Sequence, residues 1–152
     1  MIALGSDHGG YALKLEILKH LDERGAPCKD YGSFDENPAD YPVYAKLVSD
    51  AILSGECEKG ILICGTGVGI SIAANRRPGI RAALCADVYT ARLARMHNDA
   101  NILAMGGRVV GTGLAREIAD AFLETGFSAD ERHARRISLI EELPESPDNS
   151  KS

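Results

Sequence analysis

The chain has 152 residues, 45% of them hydrophobic and 26% charged, which is the composition of a globular domain long enough to bury its own core. A formal net charge of −5 excludes nucleic-acid binding through a broad basic surface, and no apolar run approaches the roughly 18 residues of a membrane span. Cys28, Cys57, Cys64 and Cys85 stand 29, 7 and 21 residues apart with no C-x-x-C and no paired histidines, so neither a disulfide framework nor a zinc site is expected.

The start, Met1-Ile-Ala-Leu-Gly5, lacks the charged segment and cleavage site of a secretory signal, and a cytoplasmic location is expected. Apolar strand-like runs then recur at Met1 to Leu4, Pro27 to Tyr31, Gly60 to Cys64, Ile80 to Ala86 and Asn101 to Met105. Helical patterns separate them. Leu13, Ile17 and Leu21 recur at i, i+4 and i+8, and Leu114, Ile118, Ala121 and Phe122 at i, i+4, i+7 and i+8, the stripe of a helix packed on a sheet. Gly25 and Pro27 stop the first helix and Gly126 the fifth. This alternation predicts one α/β domain over residues 1–143, an open doubly wound parallel sheet of about five strands with helices on both faces, a Rossmann-like three-layer arrangement. The polar, proline-bearing residues 144–152 are expected to form a disordered tail.

Ligands of such sheets bind outside the carboxyl ends of the strands. Four unusual segments are expected there: Gly5-Ser-Asp7-His8-Gly-Gly10, Cys64 with its glycines, Met105-Gly-Gly-Arg108 and, ending the fourth helix, His97-Asn98-Asp99. The fold should bring the first three towards one rim, while the order of the strands is not legible. The glycine segment is the most informative. In Gly60-Ile-Leu-Ile-Cys64-Gly-Thr-Gly-Val-Gly-Ile-Ser71, glycines 65, 67 and 69 allow positive φ and close backbone approach, and the unpaired N–H groups of the following helical turn form an anion cradle. The partial positive charge there also favours thiolate over thiol, which makes Cys64 a candidate base or nucleophile. Free cysteines are, however, commonly small buried hydrophobes, and glycine-rich turns are common packing devices. Gly65-x-Gly67-x-Gly69 is followed by Ile70, so it is neither the dinucleotide pattern nor a nucleoside-triphosphate loop.

Other candidates carry a plain structural reading as well. Asp7 at a strand end is a helix N-cap or a hydroxyl ligand, and Tyr41 in Asp40-Tyr-Pro42 is a core aromatic or a face for a ligand. Arg132-His133-Ala134-Arg135-Arg136 is a solvated helix face or a local anion site; its Arg132 and Arg136, four apart, project from one side of a helix and can grip a single phosphate. His20, on the polar side of the first helix, reads as surface, and His133 and Arg135 as exposed or interface residues.

Read in order, Gly5-Ser-Asp-His-Gly-Gly10, Asp40-Tyr-Pro42, Cys64 to Ser71, His97-Asn-Asp99, Gly107-Arg-Val-Val110 and Arg132-His-Ala-Arg-Arg136 resemble type B ribose-5-phosphate isomerases over nearly the whole domain. The broader family includes galactose-6-phosphate and allose-6-phosphate isomerases. The resemblance implies a homodimeric aldose–ketose isomerase, free of metal and cofactor, interconverting ribose 5-phosphate and ribulose 5-phosphate through a cis-enediolate. It implies Cys64 as the base, Thr66 and His97 in ring opening, and the N–H groups of Gly65, Thr66, Gly67, Val68 and Gly69 as the anion hole supported by Ser71. It further implies Asp7 and Asn98 on sugar hydroxyls, Tyr41 against the sugar, and His8, Arg108, Arg132 and Arg136 on the phosphate and polar groups, in sites shared across a dimer, with the pairing of dimers into a tetramer left open. The alternatives are a hexose-phosphate isomerase and, outside enzymes, a sugar-phosphate or nucleotide-binding module; a thiol redox protein is disfavoured by the missing C-x-x-C.

Overall fold

The five apolar runs form five parallel strands, β1 (Ile2–Ser6), β2 (Cys28–Asp30), β3 (Lys59–Cys64), β4 (Ala82–Leu84) and β5 (Ile102–Gly106), in the order β2-β1-β3-β5-β4. The structure is a computed structural model that describes residues 1–143; the tail expected over 144–152 lies outside the described residues. Helices α1 (Tyr11–Glu23), α2 (Tyr41–Leu53), α3 (Val68–Asn75), α4 (Val88–Asn98) and α5 (Thr112–Glu124) follow the five strands in turn, and α6 (Glu131–Glu141) closes the described chain. The predicted three-layer α/β architecture is what forms.

Central strands of a parallel sheet are covered on both sides, so their runs are apolar without alternation. In β3, Ile61 and Ile63 join Leu4, Leu103, Met105 and Phe122 beneath α1, α4 and α5, all buried. Leu62 and Cys64 point the other way, into a second core with Val48, Ile70 and Ala104 under α2 and α3. Each fully buried Leu, Ile or Phe contributes about 1.5–3 kcal/mol, so both faces hold the sheet flat against its helices.

Local chemistry ends the helices where the sequence indicated. Gly25 (φ 67°) follows the last turn of α1, and Asp99 adopts the left-handed conformation (φ 43°) at the end of α4. Asp87 caps the start of α4 by accepting from Thr90 N–H at 2.6 Å. Three expectations shift. The fourth strand is only Ala82–Leu84, because Ile80 and Arg81 belong to the turn before it. The buried stripe of α5 is Ala115, Ile118, Ala119 and Phe122, with Leu114 42% exposed; the inward face sits one residue further along than the leucine suggested. His20 is not a free surface residue, since its Nε2 lies 2.8 Å from Asp120 on α5.

One charged side chain is buried outright. Lys14 of α1, with no exposed surface, places Nζ 2.7 Å from Asp30 Oδ1 and on the carbonyl of Ser33, which fixes the chain leaving β2 as it crosses the end of β1. Ser6 and Gly32–Ser33 continue the backbone pairing there, with Ser6 N–H on Gly32 O and Ser33 N–H on Ser6 O, each 2.7 Å. The loop over residues 33–40 is thereby held above the carboxyl rim.

The glycines at this rim differ in what a side chain would meet. A Cβ on Gly10 would collide with the Ile63 carbonyl, whereas one on Gly113, in the first turn of α5, would meet nothing within 4 Å. Gly10→Ala should therefore lower the unfolding free energy by about 2 kcal/mol or more, and Gly113→Ala should raise it by roughly 0.5–1 kcal/mol. Urea midpoints at unchanged slope and fixed protein concentration measure both; a neutral Gly10→Ala would show that the rim can open without cost.

Candidate active site

β1 and β3 are neighbours whose connections leave in opposite directions, and the cleft above such a point is where open α/β sheets bind ligands. The three loops expected at one rim do meet there. Gly9 packs so closely that a Cβ would stand 3.0 Å from Gly65 N, Gly107 would likewise meet Gly9 O at 2.6 Å, and Gly106 would meet the Thr66 carbonyl carbon at 2.7 Å. Backbone lies on backbone, so the rim has little room to rearrange.

Cys64 ends β3 and is 4% exposed. Its Sγ accepts a hydrogen bond from Gly67 N–H at 3.2 Å, and Gly67 takes the left-handed conformation (φ 80°) needed to aim that N–H back at the sulfur. The sulfur thus faces a backbone donor at the N-terminus of α3. Burial, with help from Asp87, pushes the Cys85 thiol up to about 11, and burial raises Cys28, so neither of these two ionises readily near neutrality. Val68 N–H donates to Thr66 Oγ1 at 3.3 Å, so two of the five expected anion-hole donors already have partners within the loop. Ser71, 8% exposed, donates from Oγ to Val68 O at 2.8 Å and thus buttresses the same turn.

Around this loop the rim supplies polar and aromatic groups. Asp7 caps the short turn over His8–Gly10 by accepting Gly10 N–H at 3.1 Å, so the cap reading is correct, and its carboxylate also lines an open cleft of about 700 Å³. His8 lines the cleft too; its Nδ1 accepts Ala39 N–H at 3.1 Å, which leaves Nε2 as the free ring nitrogen. Tyr41 starts α2, lines the cleft and lies over the loop, for a Cβ on Gly69 would stand 2.5 Å from its ring. Arg108 is exposed and reaches back over Gly65, where a Cβ would stand 3.0 Å from Nη1. Asp7, His8, Tyr41, the loop from Cys64 to Ser71 and Arg108 therefore form one cluster.

The remaining candidates lie at the opposite edge. α4 runs back from the carboxyl end of β4, so its last turn, with His97 and Asn98, reaches the amino edge of the sheet. Arg81, just before β4, donates to the Asn98 and Asp99 carbonyls at 2.9 Å each, and Asn101 O, just before β5, accepts Gly60 N–H at the start of β3. Four residue steps of strand, from Gly60 to Cys64, separate this edge from the sulfur's residue, about 13 Å. The expectation that His97-Asn98-Asp99 sits with the other three segments is thus corrected: a helix returning antiparallel to its strand carries its end away from the rim. α6 packs on the same edge, with Glu141 2.7 Å from Arg81 Nη1, and exposes Arg132 and Arg136 on one side.

Of the two readings of His133, exposed or interface, the structure overturns the first. The residue is 7% exposed, its ring stacks on His97 with centroids 4.2 Å apart and planes tilted by 32°, and Nδ1 lies 2.9 Å from Ser128 Oγ. Burial foremost, then the nearby His97 and Arg132, holds its pKa below the ordinary 6.5. The sequence carried little signal for this: of the residues at i+4 and i+7 from His133, Ile137 is half-buried and Ile140 is exposed, so no inward stripe marks the face that buries His133. Among the described residues, no three of His, Cys, Asp and Glu converge as metal ligands, and no helix is long and apolar enough to cross a membrane.

Residues 2–140 match the family described as Ribose/Galactose Isomerase. The chain is 52% identical over 139 residues to ribose-5-phosphate isomerase B of Escherichia coli K12, covering 91% of this chain and 93% of that protein. It is 41% identical over 145 residues to the galactose-6-phosphate isomerase subunit LacB of Clostridium acetobutylicum, covering 95% and 84%. The structure of Clostridium thermocellum ribose-5-phosphate isomerase B superposes with a TM-score of 0.92 at 54% identity, covering 93% of this chain and 95% of that one.

The lowered pKa of His133 has a consequence for stability. Between its folded value and 6.5 the unfolded chain binds a proton that the buried ring resists, so the stability contributed is full above about pH 6.5 and falls as pH drops below it. Unfolding free energies measured from pH 5 to 8 should show this slope, and His133→Phe should flatten it. A slope unchanged in the variant would assign the pH dependence to other groups.

Proposed function

The chain belongs to the ribose/galactose isomerase family, a family of aldose–ketose isomerases, and from that premise we propose that it interconverts ribose 5-phosphate and ribulose 5-phosphate. The observation that carries this reading is the buried Cys64 sulfur under a glycine loop, hydrogen-bonded to Gly67 N–H and flanked by Asp7, Tyr41 and Arg108. Isomerisation moves a proton between C1 and C2 through a cis-enediolate. It needs a base over that edge of the sugar and donors for the oxyanion.

In this reading the Cys64 thiolate removes the C2 proton and returns it to C1. Backbone N–H groups of the 65–69 loop stabilise the enediolate, and each well-placed donor is worth ~10²–10³ in rate. Gly67 N–H, bound to the sulfur at rest, is released to the oxyanion once the thiol is protonated and its acceptor strength falls. Asp7 holds a sugar hydroxyl, Tyr41 supports the sugar's face, and His8 and Arg108 take its polar groups. His97 and Thr66 open the furanose ring, His97 as the proton carrier, and Asn98 binds a further hydroxyl. Arg132 and Arg136 grip the phosphate.

Because His97, Asn98, Arg132 and Arg136 stand at the amino edge, about 13 Å from Cys64 along the strand, one chain does not assemble this constellation. The site we propose is shared: the rim of one subunit faces the α4–α6 edge of another in a cytoplasmic homodimer. Exposed Val68, Ile72, Leu139 and Ile140, on α3 and α6, supply apolar surface for such a contact. The second reading, a hexose-phosphate isomerase, is favoured by the similarity to the galactose-6-phosphate isomerase subunit and by the openness of the cleft.

Pure protein should convert ribose 5-phosphate to ketose without added metal or nucleotide, at a higher kcat/KM than allose 6-phosphate; the reverse ranking would establish the second reading. Cys64→Ala should abolish turnover while leaving the fold and substrate binding intact, and retained turnover would remove Cys64 as the base. Arg136→Ala should cost about 2–5 kcal/mol of phosphate binding, seen as a raised KM for ribose 5-phosphate and little change with unphosphorylated ribose. Mixing inactive Cys64→Ala protein with inactive Arg132→Ala/Arg136→Ala protein should restore activity after subunit exchange, since one hybrid site receives both intact halves. Proven exchange without recovery would place both halves in one subunit.

A further inference from the structure

We propose that His133 is a positioning residue that orients the His97 ring for proton transfer, with Ser128 as its anchor. This rests on the reading of His97 as the ring-opening group. A ring that carries a proton between two oxygens must be held in position as well as charged correctly, because a misplacement of about 1 Å costs on the order of 10² in rate. His97 sits in the last turn of α4, half-buried, where the helix no longer supports it on all sides.

The neighbouring structure supplies the missing support. His133 is buried in the first turn of α6 and lies 4.2 Å, centroid to centroid, from His97, with a 32° tilt that gives an offset stack. Ser128 Oγ accepts Asp130 N–H at 3.2 Å, so its own proton is available for His133 Nδ1 at 2.9 Å; this leaves the His133 proton on Nε2. Ser128 N–H donates to Met96 O at 3.1 Å, the residue before His97. Ser128 thereby ties the chain entering α6 to the turn of α4 that carries His97. The three residues form a closed loop of contacts: backbone to α4, hydroxyl to His133, ring to His97.

The charge pattern fits this role. Burial, His97, Arg132 and Arg136 all disfavour the charged form of His133, and only Asp130 favours it. A neutral ring beside His97 gives it a flat surface without a second positive charge at stacking distance. Arg132 and Arg136 are on the same helix as His133, so the contact that orients His97 also fixes the arginines relative to it. Ring opening and phosphate binding are then set by one unit, α4's last turn with the first two turns of α6.

The test is a double-mutant cycle with two substrates. His133→Ala and the milder Ser128→Ala are each made alone and with His97→Asn, and kcat and KM are measured with ribose 5-phosphate and with open-chain ribulose 5-phosphate, beside thermal melts. If His133 acts through His97, His133→Ala should lower kcat for ribose 5-phosphate about ten-fold or more in the parent and less than about two-fold in His97→Asn, with kcat for ribulose 5-phosphate less affected and the two KM values shifting so that the ratio of kcat/KM still equals the equilibrium constant. Ser128→Ala should show the same sign with a smaller loss and a parent-like melt, which keeps the question open to decision if His133→Ala folds poorly. Additive losses, or equal losses of kcat in both directions with a lowered melt, would reduce His133 and Ser128 to a structural contact and overturn the proposal. His97→Asn slowing both substrates alike would instead overturn the ring-opening reading, while non-additivity in the cycle still reports whether His133 positions His97.

Discussion

The close approach of backbone to backbone at the carboxyl rim is the constraint on which this structure depends. Gly9 against Gly65, Gly10 against the Ile63 carbonyl, Gly106 against Thr66 and Gly107 against Gly9 leave no room for side chains where the ends of β1, β3 and β5 converge. The result is a floor made of peptide groups, with N–H donors and a sulfur at fixed positions. Loops of ordinary composition would hold their ends apart by the width of a side chain, and Cys64 would then face a gap filled with water.

Everything else at the rim is hung on this floor. Tyr41 covers Gly69 because α2 begins where the loop over residues 33–40 comes down, and that loop is held by the buried Lys14 through Asp30 and the Ser33 carbonyl. Removing one partner of a buried charge pair costs about 3–5 kcal/mol, so the pairing ties cleft geometry to overall stability. The chain places a charged side chain in its core and surrounds it with Tyr11 and Phe34 rings at 5.5 Å, an arrangement that specifies one position for the loop.

The division into two poles has a physical origin in the crossover. A strand carries the chain up through the sheet and the following helix carries it down, so residues at strand ends and residues at helix ends lie on opposite edges. The three candidate anion-binding arginines therefore lie at two places, Arg108 at the rim and Arg132 with Arg136 at the amino edge. An anion bound by all three needs a second chain, and the net charge of −5 favours recognition at such a local site over any diffuse attraction.

What the sequence by itself determined was the set of elements and the chemistry of the rim. Buried strands are continuous apolar runs, helix stops are Gly25 and Asp99, and the glycines at 65, 67 and 69 announce a backbone site beside Cys64 whatever the strand order. Tertiary structure alone decided the order β2-β1-β3-β5-β4, because pairing depends on contacts between residues far apart in the chain that no local pattern records. It also decided the pole of His97 and Asn98, the burial of His133 and the pairing of His20, each of which waits on a partner from another element: Arg81 at the Asn98 carbonyl, Ser128 and His97 around His133, Asp120 beside His20. A polar side chain takes its environment from what folds against it, and a sequence states only that it is polar.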